Sequence, residues 1–227
     1  MVKPMIILFL LGGLQGAIGW IMVQSGLNAE NLYVSHIRLA VHFISALALL
    51  AYTLWFAMKV SIPSDQILQV PFLKKLNIWL LILITLQLID GAFMAGLHAA
   101  FAAVTWPDMN GQWIPDGMLM QGGFWDDISH NLITVHFIHR ALAYLICIPV
   151  IMWTIRTKDL PLNSLLRQIR FLPVILLSLQ ILLGILTVIN TSGQIPLIYA
   201  ILHQFVGMLF LLSFVGTLFL SKGKQGK

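Results

Sequence analysis

The sequence predicts an all-α, polytopic membrane helical bundle of six spans, and three observations predict it. The chain is 59% hydrophobic and 9% charged, with a mean hydropathy of +0.92, whereas a soluble domain carries about 25% charged residues. Six apolar runs, at 4–24, 34–58, 76–104, 131–155, 171–190 and 196–220, each reach the ~20 residues that a bilayer requires. Charge then alternates between the ends of those runs. Lys3, Lys59, Lys74, Lys75, Arg156 and Lys158 fall at one set of ends, with Arg167, Arg170, Lys222, Lys224 and Lys227. Glu30, Asp108, Asp116, Asp126 and Asp127 fall at the other.

The runs are too long and continuous for barrel strands, so helices are the expected spanning form. The run 4–24 has no small-residue cleavage site after a short apolar core and reads as a span, not a signal peptide. The connection 59–75 and the one at 156–170 are basic and carry Pro63, Pro71 and Pro161. The positive-inside rule places them, and both termini, on the cytoplasmic side. The loops 25–33, 105–130 and 191–195 then face outward. Loop 105–130 is rich in Gly, Asp and Trp, and Trp106-Pro107-Asp108-Met109-Asn110-Gly111 reads as a tight turn with an interfacial aromatic. Arg38 and Arg140 depart from the charge pattern, each just inside the outer end of a helix.

The net charge of +5 is a membrane-topology signal and predicts no nucleic-acid partner. Cys147 is the single cysteine, which rules out an internal disulfide. The chain contains no phosphate loop, zinc quartet or hydrolase nucleophile motif.

A weak internal repeat links the first and fifth runs. Leu14-Gln15 with Gly19 matches Leu179-Gln180 with Gly184, and the run after each carries a histidine, His42 and His203. Two readings stand. One is a duplication within two repeats of four helices whose first helix pair is absent, Met1 then being an internal start, a truncation or a shortened form. The other is a common small-residue packing pattern of membrane helices. Runs three and four offer no obvious copy.

His42, His139 and His203 each lie about eight residues past an outward loop, which at ~1.5 Å per residue is about 12 Å deep. Imidazoles at one level can hold a flat iron cofactor from opposite faces, and haem is the candidate. The alternative is an interhelical hydrogen-bonding role for each. His136 and His139 are spaced i, i+3, and Arg38 and His42 i, i+4, so each pair shares a face. Arg140 or Arg38 is a candidate cation for haem propionates, since an embedded arginine needs a partner. His36, His98 and His130 read as residues nearer the outer surface. Asp90 is the one acid in the middle of a span, either a functional carboxylate or a protonated, hydrogen-bonded one.

At these residues the chain resembles the heme A synthase family, along nearly its whole length. The matching segments are Gly12–Trp20 with Met22–Leu27, Val34-Ser35 with Arg38–His42, and Gly91-Ala92 with Ala95–Leu97. Thr105-Trp106-Pro107 with Met109 and Gly111, Phe137–Arg140 and His203-Gln204 complete the likeness. The resemblance implies eight spans in two four-helix halves. Residues 1–60 would be the remnant of the N-terminal half and 76–220 the complete C-terminal, haem-binding half. It implies a haem b held by His139 and His203, and His42 as the catalytic, iron-ligating half of a site where the substrate, haem O, is oxidised at a methyl group to a formyl group. Arg140 and Arg38 would contribute to cofactor binding. The family's Glu-x-x-His-Arg motif has no counterpart here, nor has the outer-loop cysteine pair of some members. Asp90, His98 and His136 stand where the family usually has other residues. The missing motif keeps a second function open, a non-catalytic b-type haem-binding or electron-transfer protein. A repeat-built solute transporter is disfavoured by the absence of discontinuous spans. Implied partners are haem O, a heme O synthase, an electron donor, membrane lipid and a second copy of the chain. The implied location is the bacterial inner membrane rather than the mitochondrial one.

Overall fold

The computed structural model describes residues 2–29, 32–120 and 122–223; Glu30, Lys224 and Lys227 of the charge pattern lie outside them. The described chain is helical, in the order α1 (Val2–Val23), α2 (His36–Ser61), α3 (Pro71–Gly96), α4 (Phe124–His130), α5 (Leu132–Arg156), α6 (Leu165–Gln168), α7 (Leu172–Ile189) and α8 (Leu197–Ser221). Six of these helices are long and apolar enough to cross a membrane, matching the six runs.

Local chemistry sets the helix ends. Pro71 begins α3 at its first turn, where a missing N–H costs nothing, so the helix starts five residues before the apolar run. It also ends earlier than the predicted 104. His98 adopts the left-handed conformation at φ 55°, and Ala99–Ala102 form a 3-10 turn. Ala99, Ala100 and Ala103 are buried where this turn packs on α3, α5 and α7, and so they are apolar without continuing the span. Asn131 caps α5, its side chain accepting from the N–H groups of Ile133 and Thr134. Loop 105–130 contains an unexpected helix, α4, whose first turn carries Asp126 and Asp127, where acids complement the helix dipole.

The packed core occupies the basic-end half of the bundle. Leu80 and Ile84 of α3, Val150 and Trp153 of α5, and Phe214 and Phe219 of α8 are fully enclosed. Trp153 and Phe214 meet edge to face, with ring centres 5.9 Å apart. A buried amide pins the same end: Asn77 donates to Ser221 Oγ at 3.0 Å and accepts from Thr217 Oγ1 at 3.2 Å. Helices α3, α5, α7 and α8 pack around this core, and α2 joins it through Leu47. Helix α1 packs on α2 and buries none of its residues. With large apolar groups and the Asn77 cluster filling one half, the histidines and Asp90 lie in the other half, towards loop 105–130.

Candidate functional site

Three copies of one local device stand in that half. Each consists of a glutamine and a glycine four residues later on one helix, and a histidine on a neighbouring helix. They are Gln15, Gly19 and His42 on α1 and α2; Gln87, Gly91 and His139 on α3 and α5; and Gln180, Gly184 and His203 on α7 and α8. The glycines are required by close approach: a Cβ at Gly19, Gly91 or Gly184 would lie 2.9, 3.3 or 3.0 Å from Cε1 of the respective histidine. The imidazole therefore lies flush on the neighbouring helix backbone, a small-residue contact typical of membrane helices.

The glutamine amide then reaches the ring. Gln15 Nε2 is 3.2 Å from His42 Nδ1, Gln87 Nε2 is 3.2 Å from both ring nitrogens of His139, and Gln180 Nε2 is 3.2 Å from His203 Nε2. The middle copy escaped the sequence reading, although Leu86-Gln87 with Gly91 repeats the spacing of the other two. A search for three copies, not two, would have found it. Spans three and four therefore do have a counterpart to the repeat.

The copies differ in what faces them. His139 and His203 face each other, with ring centres 6.2 Å apart and ring planes at 60°. Among the described residues, no second imidazole stacks against His42. The Nδ1 atoms of the facing pair are anchored: that of His203 donates to the Gln180 carbonyl at 2.9 Å, and that of His139 lies 3.0 Å from Asp90 Oδ2. A neutral imidazole that donates from Nδ1 keeps its lone pair on Nε2, which here meets the glutamine amide and which a metal would take over. This pair fits a planar iron cofactor. Two metal–imidazole bonds of about 2.0–2.1 Å each would place ring centres about 6 Å apart. Among the described residues, no group of three or more His, Cys, Asp or Glu is gathered as a metal site; the fit is to two axial ligands.

The arginines are placed differently. Arg140 donates from Nε to His136 Nε2 at 3.1 Å, from Nη1 to the Asp108 carbonyl at 2.7 Å, and from Nη2 to the carbonyls of Thr105 and Ala103 at 2.9 and 3.3 Å. It clamps the outer turn over the bundle. Arg38 is exposed and donates from Nη1 to the Ile21 carbonyl at 3.0 Å. The expected tight turn is present: the Asp108 carboxylate accepts from Thr105 Oγ1 and from Gly111 N–H. The Thr105 hydroxyl, then Gly111 N–H and then the Arg140 charge hold the Asp108 carboxyl below the usual carboxylate range. His136 is buried beneath this clamp. His36 meets His130 edge to face at 4.8 Å and Phe93 at 5.5 Å, while His98 meets Tyr33 at 4.7 Å. These three histidines gather near the outer loop, away from the facing pair.

Residues 1–215 match the model of a family described as cytochrome oxidase assembly protein (COX15-CtaA). Among similar curated proteins is the heme A synthase of Bartonella tribocorum, 34% identical over 212 residues, covering 92% of this chain and 57% of the relative. That of Wolbachia pipientis is 38% identical over 197 residues, covering 86% and 56%. That of Nitrosospira multiformis is 34% identical over 200 residues, covering 87% and 55%. The chain thus spans a little over half the length of the curated relatives it matches. No solved structure matches.

Proposed function

This chain belongs to the cytochrome oxidase assembly protein family, and on that footing we propose that it carries the b-type haem site of a heme A synthase-type oxidoreductase. The observation that carries the proposal is the facing pair, His139 and His203, at 6.2 Å between ring centres. They would be the axial ligands of a haem b, which when bound supplies one-electron redox chemistry. The carbonyl of Gln180 and the carboxylate of Asp90 hold the Nδ1 atoms, and the iron would take the place of the Gln180 and Gln87 amides at the Nε2 atoms. Gly91 and Gly184 let the rings sit against the helix backbone. Arg140, with Asp108, Thr105 and the buried Ala99, Ala100 and Ala103, keeps the outer turn closed over this half and limits access of water.

The reaction proposed is oxidation of a haem O methyl group to a formyl group. With water as oxygen source, R–CH3 and H2O give R–CHO, four protons (two from the methyl carbon and two from the water) and four electrons, so a redox partner must take up the electrons. His42, backed by Gln15 and Ser45, is the residue proposed to meet haem O as an iron ligand. Arg38, exposed one turn away, is the cation proposed for its propionates, while Arg140 orients the His136 imidazole. Residues 1–60 and 76–220 are proposed as parts of two separate halves, the second holding the haem b. The basic connections favour cytoplasmic termini in a bacterial inner membrane.

The lone His42 favours a second reading, a membrane b-type haem protein without catalysis. Adding haem O and a redox system to membranes containing the chain separates the two. Formation of haem A supports the first reading, whereas bound haem b without haem A supports the second. A purified protein that takes up no haem overturns both.

A further inference from the structure

We propose that Asp90 is a positioning residue for His139 that makes the two imidazoles of the facing pair unequal as ligands. The inference rests on the haem b reading above. Asp90 lies on α3, one residue before the glycine of its device, with its side chain 8% exposed and Oδ2 3.0 Å from His139 Nδ1. The equivalent positions in the other two copies are Ile18 and Leu183. The carboxylate is therefore no part of the shared construction, and an aliphatic residue serves the packing at the same place. Across the site, His203 Nδ1 is held by a backbone carbonyl at 2.9 Å. One ring is thus anchored by a carboxylate and its opposite number by an amide.

An acid within an apolar span is rare and unfavourable unless paired or functional. Here its partner is the ring proposed to bind iron. A carboxylate accepting the Nδ1 proton fixes the tautomer and orientation of a ligating histidine and raises its basicity. A more basic ligand stabilises the more positively charged, oxidised iron. Asp90 therefore lowers the midpoint potential of the bound haem through His139, and Gln180 cannot do the same through His203.

The test uses the full chain in detergent, loaded with haem b, and the variants Asp90→Asn and Asp90→Leu. Asp90→Asn keeps an acceptor without the charge. It is expected to keep the low-spin bis-imidazole spectrum and to lower the oxidised-to-reduced ratio at a fixed potential about tenfold, equivalent to about 59 mV for one electron. Asp90→Leu is expected to move the potential the same way and to weaken haem retention about 10–100-fold. Unchanged midpoint potentials in both variants, with wild-type spectra, overturn the inference. If the wild type shows no bis-imidazole haem, the haem reading fails separately. Nitrogen-15 NMR of the haem-free protein then judges Asp90 alone. A single Nδ1–H tautomer of His139 that becomes a mixture in Asp90→Leu supports the positioning role, and identical spectra in the two proteins overturn it.

Discussion

The device on α1 and α2 and the two devices on α3, α5, α7 and α8 share one construction but finish it differently. In the first, the glutamine is fully used: Gln15 Oε1 accepts from Ser45 Oγ at 2.6 Å, and its Nε2 donates to the His42 carbonyl at 3.0 Å. In the other two, Gln87 Oε1 and Gln180 Oε1 are buried without a hydrogen-bond partner, although Gln87 Nε2 donates to the His139 carbonyl at 3.0 Å as Gln15 does to that of His42. The difference lies in the glutamine oxygen and in the histidine Nδ1, which a carboxylate or a carbonyl anchors. A satisfied glutamine makes a self-contained interhelical link. Buried unsatisfied acceptors are costly, and their occurrence beside both members of the facing pair, and not beside His42, supports the proposal that the pair holds the haem.

That contrast can be broken or sharpened by mutation. The largest effect is expected for Arg140, with Arg38 as its comparison. Arg140→Ala removes donors to three loop carbonyls and to His136, and should lower stability by about 3 kcal/mol. Arg38→Ala, which removes one exposed bond, should cost less than about 1 kcal/mol. Thermal unfolding in detergent compares them, and equal losses would contradict the assignment of Arg140 as the clamp. Next come the glycines. Gly184→Ala and Gly91→Ala bring a Cβ within 3.0 and 3.3 Å of the facing imidazoles and should cost about 1–3 kcal/mol by overpacking, with a loss of haem uptake. Gly19→Ala should cost as much stability but leave haem b uptake intact.

Smaller again is the glutamine series. Gln15→Leu breaks bonds from both the oxygen and the nitrogen of its amide and should cost about 1–1.5 kcal/mol, whereas Gln180→Leu loses one contact to His203 Nε2 but also removes an unpaired acceptor, and should cost less. The reverse order would remove the distinction between the devices. The smallest effect is pH dependence of the outer turn. Asp108 is held below the usual range, so its contribution is complete above the ordinary aspartate pKa of about 3.9. It is lost as pH falls through the lower folded value. Amide exchange across Thr105–Gly111 should accelerate in acid, and Asp108→Asn should abolish that acid sensitivity.

Six spans were legible in the sequence because apolar length dominates a membrane helix. The residues of the site were legible as types, since histidine and aspartate are conspicuous in apolar runs. The partnership of His139 with His203 came from the family resemblance alone. It depends on how α5 and α8 pack around Trp153 and Phe214, which no local spacing encodes. The early end of α3 was masked because Ala99–Val104 continue the apolar run while serving a buried 3-10 turn. The third glutamine–glycine copy was masked differently. Gln87 and Gly91 flank Asp90, an acid where the other two copies have Ile18 and Leu183, so the local sequence around this copy departs from theirs.

The central claim, that the facing pair and not His42 holds a b-type haem, is tested most directly by absorption spectra of the purified chain loaded with haem b. The account predicts a six-coordinate low-spin spectrum that is lost in His139→Ala and in His203→Ala and retained in His42→Ala. A spectrum unchanged in both His139→Ala and His203→Ala would contradict it.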